Sequence, residues 1–352
     1  MDKVRAKTFM ESMISTLNHG ALSMMLSIGH RTGLFDTMAG AGPLTSSQLA
    51  DATHLDERYV REWLSAMASG GVVDYLDDQQ TFELPAEHQD LVTRAGGPLN
   101  LAAQMQYIAL LGQVEDDVVE AFATGAGVPY DRYPDFQRLM AEDSGARFDA
   151  ALLDVIVPAI PDAVDSLTAG CRLADIGCGS GHALLMLAEA FPASEFVGFD
   201  FSDDALQVAR DSATEQGLTN VEFVAVDVAN LGRSNEFDII TSFDAIHDQA
   251  QPAKVLANIN DALVSNGRYL CVEPKAHSSL AENISEPVAT FQYSISTMHC
   301  MSVSIAGGGV GLGTAWGTER TIEHLETAGF SAIDIAEVRP DRANSYFVCR
   351  KS

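Results

Sequence analysis

The sequence of 352 residues predicts an α/β fold, in which a smaller helical domain precedes a domain built on a parallel sheet. Three observations lead to this prediction. The apolar run from Cys171 to Ile176 ends in alternate glycines before a helical pattern, which is typical of a strand–turn–helix unit. Further short apolar runs then alternate with helical patterns. In the N-terminal part, three helical patterns lead into a short hairpin.

The N-terminal elements predict a winged-helix domain. Residues 9–29 form a Met-rich helical pattern, and Thr45 has the character of a helix cap. A further helix is expected from Arg58 to Ser69, where a Gly-Gly pair ends it. The runs Val72–Leu76 and Thr81–Leu84 then pair as a hairpin, which supplies the wing.

Two functions are open for this domain, DNA binding and dimerisation. The exposed residues expected on the recognition helix are nearly neutral in sum: Asp56, Glu57, Arg58, Arg61, Glu62 and Ser65. The whole chain carries a net charge of −28, which repels phosphates. We therefore favour dimerisation, with the Met-rich helix as a candidate subunit interface, and expect no nucleic-acid partner.

Composition also limits the location and the cofactors. No apolar run approaches the roughly 20 residues of a membrane helix, and no signal core follows the first residues. The five cysteines are scattered, without the spacing of metal ligands. We expect a cytoplasmic protein with reduced cysteines, no membrane association and no metal.

The turn after the first strand of the sheet points to one cofactor. Asp175 precedes Gly177, Gly179 and Gly181, a G-x-G-x-G spacing that differs from the dinucleotide fingerprint. An acid at this turn would repel a pyrophosphate but suits an ammonium group, which favours S-adenosylmethionine over NAD. Two later strands end in Asp200, placed for the ribose hydroxyls, and Asp227, placed for the adenine amine.

These motifs resemble those of class I S-adenosylmethionine-dependent methyltransferases, and the two-domain order resembles their small-molecule O-methyltransferases. The resemblance implies a Rossmann-like, seven-stranded mixed sheet with an antiparallel tail, residues 332–338 and 345–349. It also implies a homodimer and a small-molecule methyl acceptor. The cofactor-binding residues that we expect are Asp175, Gly177, Cys178, Gly179, Gly181, Asp200, Phe201, Asp227, Val228 and Phe243.

The same resemblance implies the catalytic residues. His247 follows the fourth strand where that family has its general base, and Glu273 follows the fifth strand where the family has an orienting glutamate. The usual aromatic residue after the His-Asp pair is Gln249 here. The methylated atom therefore stays open between a hydroxyl oxygen and a thiol or sulfide sulfur. The main alternative is a transcriptional regulator that binds the cofactor without turnover, and a protein or nucleic-acid methyltransferase is a further one.

Two segments are candidates for the acceptor site. We divide the chain into a winged-helix domain (1–97), a helical linker and lid (98–165) and the methyltransferase domain (166–352). The lid and an insertion over residues 276–317 supply the candidate acceptor contacts, Tyr130, Tyr133, Met298, His299 and Trp316. Adjacent His299 and Cys300 point apart on a helix, which argues against a metal pair. The run Gly307–Gly313 is either a flexible lid or a close backbone contact.

Overall fold

The computed structural model describes residues 1–339 and 341–351. The chain forms two compact units, the first spanning Met1–Gly112 and the second beginning at Gln113. The three-part division predicted from the sequence stays a prediction. In the described residues no helix combines the length and the apolar character that a membrane crossing requires.

The first unit is helical with one small hairpin, as predicted. Its elements are α1 (Lys3–Arg31), α2 (Leu34–Met38), α3 (Ser46–Thr53), α4 (Glu57–Ser69), β1 (Asp74–Leu76), β2 (Thr81–Glu83), α5 (Ala86–Val92), α6 (Leu101–Gln104) and α7 (Gln106–Gly112). Thr45 and Gln48 form a reciprocal capping box at α3, and Asp56 caps α4. The antiparallel pairing of β1 with β2 forms the wing.

A compact core holds this unit together, but one face of α1 lies outside it. Trp63 is buried, packs edge-on against Phe35 at 5.0 Å and donates its indole N–H to the Met25 carbonyl at 2.9 Å. The first half of α1 instead exposes large apolar side chains to between 46% and 74% of their surface: Phe9, Met10, Met13, Ile14 and Leu17.

The second unit is a seven-stranded sheet with helices on both faces. Its helices are α8 (Glu115–Thr124), α9 (Phe136–Ala151), α10 (Ala163–Ala169), α11 (His182–Ala190), α12 (Asp203–Glu215), α13 (Pro252–Ala262), α14 (Leu280–Asn283), α15 (Ala289–Ile295), α16 (Met301–Ala306) and α17 (Gly317–Thr327). Its strands are β3 (Arg172–Ile176), β4 (Glu195–Asp200), β5 (Val221–Ala225), β6 (Phe237–Phe243), β7 (Leu263–Pro274), β8 (Phe330–Ala336) and β9 (Asn344–Lys351).

The sheet order is β5-β4-β3-β6-β7-β9-β8, parallel from β5 to β7 and antiparallel at β9 and β8. This confirms the predicted mixed sheet with its antiparallel tail. The central strands are buried because helices cover both faces, which explains why they are short, nearly continuous apolar runs. After β3, the chain adds β4 and β5 on one side of that strand and then crosses to its other side to form β6. The crevice between β3 and β6 is therefore the place where such sheets bind ligands.

Candidate functional site

A glycine turn joins β3 to α11 at that crevice. Gly177, Gly179 and Gly181 all have positive φ, from 52° to 75°, a region that favours glycine. A Cβ on Gly177 would lie 2.6 Å from the Ala245 side chain, and one on Gly181 would lie 2.5 Å from the Phe223 ring. Those two glycines therefore allow close packing. Gly179 is different, because only the Gln137 amide oxygen, at 3.9 Å, comes near, so its bare backbone faces the crevice.

The crevice is a cleft of about 240 Å³. Nine of the ten predicted cofactor-binding residues line it, Gly181 being the exception. Among the described residues that line the cleft there is no lysine or arginine. Five acids do line it: Asp175, Asp200, Asp227, Asp244 and Asp248. A cleft of this charge attracts a cationic ligand and disfavours a pyrophosphate.

Burial changes the protonation of the carboxyl group at the end of β3. Asp175 is almost fully buried and accepts a hydrogen bond from the Thr241 hydroxyl at 2.6 Å. Burial raises the pKa of Asp175 to about 7, although the Thr241 hydrogen bond acts in the opposite direction. The nearby Asp200 carboxylate raises this pKa further. A positive charge in the cleft would favour the ionised form of Asp175.

Protein donors hold the other two predicted acids in place. Asp200 accepts the backbone N–H groups of Gly179 at 2.8 Å and Ser202 at 2.9 Å, and burial raises its pKa. Asp227 accepts the backbone N–H of Ala229 and the side-chain amide of Asn230, both at 2.9 Å. The two carboxylates are thereby oriented before any ligand arrives.

Sequence reasoning missed Asp244, the residue just after β6. Its φ is +52°, a strained value for a residue with a side chain, and such strain concentrates at functional sites. One carboxylate oxygen accepts from the Arg147 guanidinium at 2.7 Å. The other oxygen is buried and has no hydrogen-bond partner among the described residues. Neither the positive φ nor the pairing with a residue 97 positions away leaves a signal in the sequence.

Asp248 was also missed, although it belongs to the His-Asp pair that we quoted from the sequence. It lines the same cleft, and burial raises its pKa to about 6. The positive charge of His247 lowers this pKa, whereas Glu273 and Asp200 raise it. The sequence analysis assigned a role only to the adjacent His247.

The structure brings His247 and Glu273 together in a buried pair. The His247 Nδ1 atom lies 2.7 Å from a Glu273 oxygen, and the Ile246 backbone N–H and the Trp316 indole N–H donate to the same carboxylate at 3.0 and 3.2 Å. Burial opposes protonation of His247, but the Glu273 carboxylate outweighs it and raises the pKa of the histidine well above its usual value. The Cys300 side chain is a further hydrogen-bonding neighbour of this ring.

The candidate acceptor residues fall into different places. Tyr130 lines the cleft, whereas Tyr133, Met298 and His299 lie outside its lining. Met298 is half-buried, and its carbonyl accepts the Tyr133 hydroxyl at 2.5 Å. Trp316 lies in the core of the unit, 1% exposed, where its N–H contacts Glu273.

The Gly307–Gly313 run is a close backbone contact. A Cβ on Gly309 would clash with the Ala250 backbone, and the Val310 N–H donates to the Ala250 carbonyl at 3.2 Å. The Gly313 N–H donates to the His247 carbonyl at 3.2 Å. These contacts join the run to the segment that carries the histidine, in agreement with close backbone packing at Gly309 and Gly313.

Two family matches agree with these units. Residues 20–94 match the Rv2258c-like winged helix-turn-helix domain, and residues 167–325 match a methyltransferase domain. A curated relative, the malonyl-[acyl-carrier protein] O-methyltransferase of Bacillus cereus, is 29% identical over 146 residues, 42% of this chain and 48% of its own length. The chain thus spans about half the length of this relative.

Solved structures match along nearly the whole chain. A candidate O-methyltransferase of Nostoc punctiforme superposes with a TM-score of 0.74 at 18% identity, covering 97% of this chain and 98% of its own. Mitomycin 7-O-methyltransferase superposes with a TM-score of 0.71 at 17% identity, covering 99% of this chain and 100% of its own. At such identities these matches show the fold. The acid-lined cleft thus lies within a methyltransferase domain, which follows a winged helix-turn-helix domain along the chain.

Proposed function

We propose that this protein transfers a methyl group from S-adenosylmethionine to an oxygen or sulfur atom of a small molecule. The observation that carries the proposal is the cleft at the β3–β6 crossover, where five carboxylates and a bare glycine backbone meet without a lysine or arginine among the described lining residues. When bound, S-adenosylmethionine supplies an electrophilic methyl group on a sulfonium, and its ammonium group adds a second cation. The cleft fits both charges.

Different residues of the cleft are assigned to different parts of S-adenosylmethionine. We assign Asp200 to the ribose hydroxyls, because its carboxylate is already oriented by two backbone N–H groups, and Asp227 to the adenine amine. We assign Asp175 and Asp244, which both line the cleft, to the cationic end of the ligand. Val228 and Phe243 provide apolar lining. The Asp200 and Asp227 carboxylates are held by hydrogen bonds before binding, which supports the positioning that in-line transfer requires.

His247 is assigned as the group that takes the acceptor proton. Glu273 fixes its ring through Nδ1, so we assign the other ring nitrogen as the base, and the Cys300 side chain is a further hydrogen-bonding neighbour of the ring. Because Glu273 also favours the imidazolium, the pair suits acceptors that ionise readily, and the imidazolium stabilises the resulting oxyanion or thiolate. Thiols and acidic hydroxyls such as phenols are the acceptor classes that match this electrostatic arrangement.

The test combines binding and turnover. Calorimetry with S-adenosylmethionine should show saturable heat, whereas NAD⁺ should show none because the five carboxylates of the cleft repel its pyrophosphate. Turnover is then followed as S-adenosylhomocysteine release against a panel of phenols, hydroxy acids and thiols. Binding of NAD⁺ or a flavin nucleotide without binding of S-adenosylmethionine would refute the proposal.

The winged-helix match favours one alternative, a regulator that binds S-adenosylmethionine and DNA. Helix α4 argues against it, because its two arginines are engaged on the helix itself. Arg58 pairs with Glu62, and Arg61 lies 3.6 Å from Glu57. Binding of duplex DNA with a steep salt dependence, together with no turnover, would establish the regulator.

We also propose that the protein is a homodimer in the cytoplasm and that the exposed face of α1 contributes to the subunit interface. Five large apolar side chains on one helix are an unusual exposed patch for a monomer. Light scattering should give twice the chain mass for the wild type. The double variant Met13→Glu/Leu17→Glu should shift to the monomer mass, whereas Ser15→Glu, which adds charge on the other side of the helix, should not.

A further inference from the structure

His299 is a fully buried histidine among the candidate acceptor contacts. Its side chain is 0% exposed, and neither ring nitrogen finds a partner in the part of the chain that the structure describes. Buried polar groups in native proteins are almost always paired, because leaving one unpaired is destabilising. An unpaired buried imidazole of this kind needs a functional explanation.

Aromatic rings surround this histidine. Its ring stacks on Phe136, with centroids 3.7 Å apart and planes inclined by 15°. Tyr133 and Tyr130 meet it edge-on at 4.6 and 5.7 Å. Burial, and secondarily the charge of His247, lowers the pKa of His299 to about 3. The ring is therefore neutral near pH 7, with one N–H donor and one acceptor nitrogen.

The histidine lies one layer behind the cleft wall. Phe136 and Tyr130 both line the cleft and both touch the His299 ring. Tyr130 also contacts the half-exposed Phe201, and its hydroxyl accepts one hydrogen bond, from Gln137 at 2.9 Å. Tyr130 and Phe136 are thus two rings that contact both the cleft and the histidine. The backbone there is a single π-helical turn, Ser296–Cys300, a feature frequent at functional sites.

We propose that His299 is a specificity-determining residue that hydrogen-bonds the methyl acceptor, and that the acceptor is a flat ring bearing a second N–H or O–H donor beside the group that is methylated. The inference rests on the proposed methyl transfer. The flat shape follows from the aromatic side chains around His299, which offer faces and edges to a ring. The second donor follows from the neutral imidazole, which can accept from it. A site built this way rejects an otherwise similar ring that lacks the donor.

The test uses the full-length protein and two pairs of probe rings, catechol with phenol and 2-aminothiophenol with thiophenol. Binding is followed as the shift in unfolding temperature with S-adenosylhomocysteine present, so the readout does not depend on turnover. The wild type should bind the donor-bearing ring of each pair about tenfold or more tightly. His299→Phe keeps a flat ring, so it should lose this preference while its affinity for S-adenosylhomocysteine stays unchanged.

The stability of the variants separates recognition from structure. His299→Phe removes two unpaired polar atoms and should raise the unfolding temperature of the free protein. A matched control is His88→Phe in the first unit, because His88 Nδ1 has a partner, the Val72 carbonyl at 2.9 Å. The control should not raise the unfolding temperature and should keep the ring preference.

Two outcomes would overturn the inference. A His299→Phe protein that unfolds at lower temperature and keeps the ring preference would show a purely structural histidine. A wild type that binds none of the four rings more tightly than His299→Phe does would show that His299 does not contact the acceptor. Failure to bind S-adenosylmethionine would instead refute the proposed function, so the two failures are distinguishable.

Discussion

The acid-lined cleft and the aromatic cluster around His299 differ in how their polar groups are satisfied. In the cleft, Asp175, Asp200 and Asp227 each accept hydrogen bonds from nearby protein donors. In the cluster, the only strongly polar ring, His299, has no partner among the described residues. The carboxylates of the cleft are therefore oriented before a ligand arrives, whereas the rings of the cluster pack against one another around His299. We infer that the cofactor end of the site is preformed and that the acceptor end is completed by the acceptor.

The largest expected effect is at His247, the assigned base. His247→Ala should lower turnover of hydroxyl acceptors by about 10²–10⁴-fold, because a positioned base contributes that much. Thiol acceptors, partly ionised at neutral pH, should lose far less. Initial rates of S-adenosylhomocysteine release with both acceptor classes measure this difference.

Binding of S-adenosylmethionine should stay unchanged in this variant, since His247 lies outside the cleft lining. Undiminished turnover of every acceptor would show that another group takes the proton.

The cleft itself was largely predictable from the sequence, and the reason is local. Asp200 and Asp227 directly follow apolar runs, and Asp175 is the last residue but one of another, so strand prediction alone places all three at one edge of the sheet. The glycine spacing likewise reports the turn. Nine of the ten predicted residues therefore meet at the cleft.

The aromatic cluster depends on contacts that are distant along the chain. The Tyr133 hydroxyl, for example, reaches the Met298 carbonyl, 165 positions away. No periodicity encodes such pairs. The sequence suggested His299 and Trp316 as equivalent acceptor contacts. Both are buried, but the Trp316 indole donates to Glu273, whereas His299 has no partner among the described residues.

A second prediction tests the role of Asp200 in the acid-lined cleft. Asp200→Asn keeps the shape but removes the charge that we assign to the ribose hydroxyls. The dissociation constant for S-adenosylmethionine should rise about 10- to 100-fold, since a hydrogen bond to a charged group contributes about 1.5–3 kcal/mol. Calorimetry measures the change.

Asp203→Asn is the matched control for this variant. The same change is made at an exposed acid in the first turn of α12, outside the cleft lining. Equal losses in the two variants would mean that overall charge, rather than the position of Asp200, determines the affinity.

A third prediction concerns the pH dependence of the base. Glu273 raises the pKa of His247, so the neutral imidazole forms only as the pH rises through that value. Turnover of hydroxyl acceptors should therefore fall on the acid side. Glu273→Gln removes the charge and should move that acid limb to lower pH, by about one pH unit or more. The profile of kcat/KM against pH reports the shift.

Stability changes in the opposite sense along the same pH axis. A raised histidine pKa in the folded state stabilises the protein most below the unfolded value of about 6.5, and this contribution is lost as the pH rises through the folded value. The wild type should thus lose more stability than Glu273→Gln on passing from acid to alkaline pH. An acid limb that does not move in Glu273→Gln would show that the glutamate does not control the base.

The smallest expected effect concerns the hydrogen bond by which Trp316 supports the His247–Glu273 pair. Trp316→Phe removes one N–H donor from the Glu273 carboxylate but keeps an aromatic ring in the core, and Ile246 still donates. The loss of one donor to a charged group should lower the free energy of unfolding by about 1–3 kcal/mol. With one donor fewer, the carboxylate attracts the His247 proton more strongly. The acid limb of the rate profile should therefore move slightly to higher pH, opposite to its movement in Glu273→Gln. If both variants move it in the same direction, Trp316 acts through packing rather than through its hydrogen bond.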